Sequence, residues 1–164
     1  MTFWASVLKY LIAAGIAGVA TLFLGIPVPR HIFIADRFPF RAYAFEKDGA
    51  VYMKVLVHKW KDIVPDASKV ISRMTKKRIK KRMDADAIER LIQETCVAET
   101  VHWILIALTP VYCIGIPLKY GVPFSVFYAL GNLVFIVIQR YNRPRFQKIL
   151  AAIKTHDMRK RGQE

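Results

Sequence analysis

Glu99 and His102 stand three residues apart in the run ETCVAETVHW, just ahead of the apolar stretch ILIALTPVYCIGIPL. Three residues on a helix is a rotation of roughly 300°, so carboxylate and imidazole share one face, with Thr95 one turn earlier on it. An imidazole held by a carboxylate can take a proton from a hydroxyl, while the carboxylate fixes the tautomer and stabilises the imidazolium. Two other uses fit the same spacing. A buried His–Glu pair can tether two helices. Glu-x-x-His is also the ligand spacing of carboxylate-bridged metal proteins, but these need a second such motif and the sequence has none, so no metal is expected. Ionisable groups at the edge of hydrocarbon are costly to keep there, and they point to function.

The elements that position this couple are read from composition and periodicity. In 164 residues, 54% are hydrophobic and the net charge is +14, with a mean hydropathy of +0.26. Long apolar runs separated by basic clusters are the pattern of an integral membrane protein, here a single domain of about three transmembrane helices, all-α, with interfacial segments and a C-terminal amphipathic helix. Residues 4–26 form the first crossing, an uncleaved anchor rather than a signal peptide, since a basic start and a small-x-small cleavage site are both lacking. Gly15 and Gly18, with Ala14 and Ala17, would admit a second helix closely. Residues 30–66 mix basic and aromatic side chains and read as an interfacial segment, with broken helices or a short extended piece near Val51–Val57, or a re-entrant loop.

Residues 67–85 form a basic loop, with eight cations in the fourteen positions from Lys69 to Arg82. Asp84 or Asp86 caps the next helix, and Asp86 with Glu89 resembles a capping box. That helix, 86–118, runs along a surface through Ile88, Leu91, Ile92 and Cys96, then becomes a crossing that Pro110 kinks and Pro117 ends. PLKYGVP is a tight turn into the crossing at 122–139, where Asn132 needs an internal partner. QRYNRPR interrupts that run, and Pro144 starts an amphipathic helix over 143–158. Both strongly basic regions belong on the cytoplasmic side, which puts a multi-pass protein in the cell membrane with its active site at the cytoplasmic edge. Cys96 and Cys113 lack ligand spacing and are expected as free thiols.

Three blocks, FEKDGAVYMKVLVHKWKDIVPD, ERLIQETCVAETVHW and QRYNRPR, together resemble the small membrane acyltransferases typified by glycosyl-4,4'-diaponeurosporenoate acyltransferase. The resemblance covers about two-thirds of the chain. It rests on Glu46, on Lys59 with Trp60 and Lys61, on Glu94 and Glu99, on His102 with Trp103, and on Gln139 through Arg145. The KKRIKKR run is more basic than the resemblance requires. That family is associated with the last step of staphyloxanthin synthesis, in which a fatty acyl group is placed on the sugar of a glycosylated carotenoid acid.

The resemblance implies an O-acyltransferase that moves a fatty acyl group from a thioester to a sugar hydroxyl of a membrane glycolipid. His102 is then the base for the hydroxyl proton and Glu99 its orienting carboxylate. Arg140 and Arg143 at a membrane edge could grip the phosphates of a coenzyme A or acyl-carrier-protein donor, or serve only as a positive-inside anchor at a helix start, and Asn142 could hold a carbonyl or a sugar hydroxyl. Glu94 lies about 140° round the helix from Glu99 and would answer Arg140 or Arg143, or stand solvated. Lys59 and Trp60 are candidates for substrate contact, or an interfacial anchor. No cofactor is expected beyond the acyl thioester as co-substrate. The basic run suits anionic lipid headgroups or an acidic carrier protein, not nucleic acid. No Gly-x-Ser-x-Gly, phosphate-binding loop or dinucleotide fingerprint occurs, which favours direct transfer over an acyl-enzyme. The alternatives are a small membrane methyltransferase, and a non-enzymatic lipid-binding or scaffolding subunit.

Overall fold

The computed structural model describes residues 2–25, 27–61, 63 and 84–162. All secondary structure among them is helical, without a strand, which bears out the all-α expectation and removes the extended piece considered near Val51–Val57. Helix α1 is Phe3–Gly25, α2 Val51–Lys54, α3 Val57–Trp60, α4 Ala85–Ala107, α5 Thr109–Tyr112 and α6 Leu118–Arg161, with single 3-10 turns at Arg30–Ile32 and Ala44–Glu46. The basic run from 69 to 82, and with it nearly all of the expected loop 67–85, lies outside the described residues.

Among the described residues, two helices are long and apolar enough to cross a membrane: α1 over Phe3–Thr21, and α6. Both leave large apolar side chains uncovered, among them Leu11, Ile16 and Phe23 on α1 and Val126, Phe127 and Leu130 on α6. The chain forms two compact units, one of residues 1–33 with 96–139, the other of 34–95 with 140–164.

In the first unit, α1 places Tyr10 and Ala14 against Tyr112 and Ile116, and Ala13, Ala17, Phe124 and Tyr128 close around them. The rings of Tyr10 and Tyr112 meet edge to face at 5.7 Å, a favoured arrangement for aromatic pairs. The close approach is therefore made by the alanines. A methyl group placed on Gly15 or Gly18 would meet nothing within 4 Å, so the glycines do not serve the contact that their spacing suggests. Pro110 has no N–H for the carbonyl of Ile106, four residues back, and α4 ends at Ala107. The hydroxyl of Thr109 donates to that carbonyl at 2.8 Å instead, and one further turn, α5, follows. The reversal comes slightly earlier than PLKYGVP suggests, at Cys113–Ile116. There Gly115 has φ +70°, a conformation that glycine takes without steric cost, and its carbonyl accepts from Lys9 Nζ at 3.3 Å.

In the second unit, Asp84 is the cap of α4: its carboxylate accepts the Ala87 N–H at 2.8 Å, which leaves Asp86 inside the first turn. Val57, Ile88, Ile92 and Tyr141 are its most deeply buried apolar side chains. The largest departure from expectation is at QRYNRPR. Rather than ending one helix and starting another, this segment lies inside α6, which is continuous for 44 residues. At 1.5 Å per residue such a helix is about 66 Å long, roughly twice a hydrocarbon core, so its polar half extends beyond any single crossing.

Candidate functional site

His102, on α4, is half-buried and lies flat against the ring of Phe135, at 4.6 Å and 7°. Its Nδ1 is 2.8 Å from Oδ1 of Asn132. The amide of Asn132 is held the other way round by its own Nδ2, which donates to the Tyr128 carbonyl at 2.9 Å. An amide oxygen can only accept, so Nδ1 carries the hydrogen, and in neutral imidazole the lone pair is then on Nε2. This is the tautomer that a base acting through Nε2 requires. Asn132, 7% exposed in an apolar helix, thus finds the partner its polarity demands, and its oxygen fixes this tautomer of His102. Glu99 itself is 1% exposed, one turn before His102 on the same helix. Cys113 and Ser125 sit 3.0 Å apart (Sγ to Oγ) elsewhere in this unit.

The second unit gathers the arginines. Arg140 meets Glu46 as a fork: Nε donates to Oε1 at 2.6 Å and Nη2 to Oε2 at 2.9 Å. Its Nη1 donates to the Pro39 carbonyl at 3.3 Å and Nη2 also to the Arg41 carbonyl at 3.2 Å. Glu46 further accepts from the Tyr43 backbone N–H at 2.6 Å and from the Tyr52 hydroxyl. Burial alone would raise the Glu46 carboxyl. The hydrogen bonds from Arg140, Tyr52 and the Tyr43 backbone, with the charge of Arg140, outweigh it and hold the group below its ordinary value. Tyr52 is pushed upward, by burial first and then by the hydrogen bond it donates to the Glu46 carboxylate and that group's charge.

Arg143 is anchored by Thr95. Its Nε donates to the Thr95 hydroxyl at 2.9 Å and Nη2 to the Thr95 carbonyl at 3.1 Å, while Nη1 donates to the Phe40 carbonyl at 2.7 Å. The guanidinium carbons lie 4.6 Å from the Tyr43 ring for Arg140 and 5.5 Å from the Phe40 ring for Arg143. Every nitrogen of both groups is committed to the protein, and the two residues are 9% and 2% exposed. Both side chains bind α6 to the segment around Pro39–Glu46 and to Thr95. Sequence reasoning picked out the arginines and marked Asn132 as needing a partner, but missed that this partner is His102, missed Tyr52 and missed the pairing of Arg140 with Glu46. Glu46 did stand among the matched positions, and a lone Asn in an apolar helix was the signal for Asn132.

Of the remaining sequence-derived positions, Asn142 is half-buried between the anchored Tyr141 and Arg143. Glu94 is half-buried on α4 and Lys59 is exposed. The Trp60 indole donates to the Val55 carbonyl at 2.9 Å, so its polar edge serves its own turn.

The family model described as glycosyl-4,4'-diaponeurosporenoate acyltransferase matches residues 36–152. Proteins of that name from Staphylococcus aureus are similar to this chain. The one from strain bovine RF122 / ET3-1 is 34% identical over 134 residues, 80% of this chain and 79% of its own length. Those from strains MRSA252 and N315 are 33% and 34% identical over 80% of this chain and 79% of theirs. No solved structure matches it. The match takes in the Glu46–Arg140 fork, the Thr95–Arg143 anchor and the His102–Asn132 pair. The chain belongs to the glycosyl-4,4'-diaponeurosporenoate acyltransferase family, and it is an acyltransferase.

Proposed function

We propose that this protein transfers a fatty acyl group from a thioester to a sugar hydroxyl of a glycosylated carotenoid in the cell membrane, with His102 as the general base. The observation that carries the reading is the Nδ1 contact of His102 with Asn132 at 2.8 Å, in a chain whose relatives bear the name of that activity. In the reaction, Nε2 takes the proton of the acceptor hydroxyl as its oxygen attacks the thioester carbonyl. The carbon–sulfur bond then breaks, and the departing thiolate receives the proton from the imidazolium. The acyl group passes directly between the two substrates, so holding them in register supplies much of the rate. Glu99, close on the same helix, stabilises the imidazolium. Three crossings, with α4–α5 as the third beside α1 and α6, and an active site at the cytoplasmic edge complete the proposal. Membership of an acyltransferase family favours this reading over a methyltransferase or a scaffolding subunit.

The test is product analysis. Membranes containing the protein, given a fatty acyl thioester and a glycosylated carotenoid, are expected to yield a pigment heavier by one fatty acyl residue, located on the sugar by fragmentation. Return of the acceptor unchanged, with membranes of a staphylococcal relative active in parallel, would contradict the assignment of substrates.

A further inference from the structure

With Arg140 and Arg143 turned inward, a phosphate-bearing donor needs another cation, and the same helix presents one. Arg145 is exposed and lies 3.9 Å over the ring of Tyr141, which is itself 0% exposed. A guanidinium braced on a buried aromatic has lost most of its freedom before any ligand arrives. Its hydrogen-bond partner is not an oxygen: Nη2 points at Sδ of Met53 at 3.2 Å, and a thioether is a weak acceptor that a phosphate oxygen would readily replace. One turn further on stands Lys148. Its pairing with Asp48, at 3.7 Å between groups 70% and 69% exposed, is of the kind that contributes little. Lys54, exposed, is the neighbour of Met53 in the chain, and Lys47, exposed, is the neighbour of Asp48. Arg145 and Lys148 thus border one loop–helix contact, with Lys47 and Lys54 next in the chain to Asp48 and Met53, and there a Cβ on Gly49 would stand 3.5 Å from the Tyr141 carbonyl.

We infer that Arg145, with Lys148 and the flanking Lys47 and Lys54, forms the binding site for a phosphate group of the acyl donor, the role that Arg140 and Arg143 cannot fill. This deepens the acyltransferase proposal, but its test reads binding alone, so the two can fail separately. The measurement is the affinity of coenzyme A for the full-length protein in a neutral detergent, by calorimetry. Pantetheine, which lacks the phosphates, and anionic phosphatidylglycerol nanodiscs are run beside it. Arg145→Gln is expected to weaken coenzyme A about tenfold while leaving the melting temperature and pantetheine binding unchanged. Arg145→Gln combined with Lys148→Gln should weaken it further. Coenzyme A affinity equal in wild type and Arg145→Gln, or undetectable in wild type, would overturn the inference. So would loss of nanodisc binding in the variant with coenzyme A affinity intact, which would make the patch a lipid-headgroup site.

Discussion

At the scale of single residues, the account turns on what each polar side chain already holds. Asn132 orients His102 through Nδ1. Asn132→Leu removes that acceptor, frees the ring to take the other tautomer, and is expected to lower turnover on the order of 10²-fold with substrate affinity little changed, as steady-state kinetics would show. An unchanged turnover would mean the tautomer is set elsewhere. The Glu46–Arg140 fork is a structural matter. Removing one partner leaves a buried charge behind, so Arg140→Met should cost about 3–5 kcal/mol in detergent unfolding, and Glu46→Leu with Arg140→Met together should recover part of that loss. The sign of its pH dependence follows from the direction of each shift. Glu46 is lowered from 4.5, so its contribution is complete above that value and is lost as pH falls through the depressed one. Tyr52 is raised from 10.0, so its contribution is present below pH 10.0 and is lost as pH climbs towards the raised value. Stability should therefore be flat between these limits and fall on both sides. Tyr52→Phe should weaken the alkaline fall, and a melting series that declines across the neutral range would contradict the assignment.

At the scale of elements, the chain's punctuation behaves differently in its three tests. Pro110 does interrupt a helix, and Thr109 repairs the orphaned carbonyl of Ile106. Pro144 does not interrupt α6, whose neighbours Arg140, Tyr141 and Arg143 are each held by contacts far away in sequence. Tertiary anchoring overrides the local preference of proline there. Gly49, with φ +85° after Lys47 and Asp48 at +47° and +53°, completes a left-handed turn that lies against the carbonyls of α6. Gly49→Ala is expected to destabilise by about 1–2 kcal/mol, measured by thermal unfolding, because alanine must be forced into that conformation. These elements also show how much could be read in advance. The helical class, the long apolar helices α1 and α6 and the interest of His102 follow from periodicity and from polar residues in apolar runs. The partners do not. His102 and Asn132 are 30 positions apart and Glu46 and Arg140 are 94 apart, and spacing along a helix carries no information about which helix lies opposite. Several acceptors of the arginines in QRYNRPR are backbone carbonyls, of Pro39, Phe40 and Arg41, which leave no trace in residue type.

At the scale of the whole molecule, the chain combines two membrane-length helices with a strongly basic composition and an acyltransferase family identity. On the function proposed above, such a protein would take a lipid-dissolved acceptor and a donor from water. The division of labour proposed here follows from chemistry: a neutral, oriented imidazole for the hydroxyl proton, buried arginines for fixing α6, and an exposed, braced arginine for the donor's phosphate. The most direct test of the central claim is turnover by His102→Gln, assayed as acyl mass added to the glycosylated carotenoid under saturating donor, with thermal unfolding recorded on the same preparation. The account predicts a loss of roughly 10²-fold to 10⁴-fold with the melting temperature preserved. Turnover within a fewfold of wild type would contradict it.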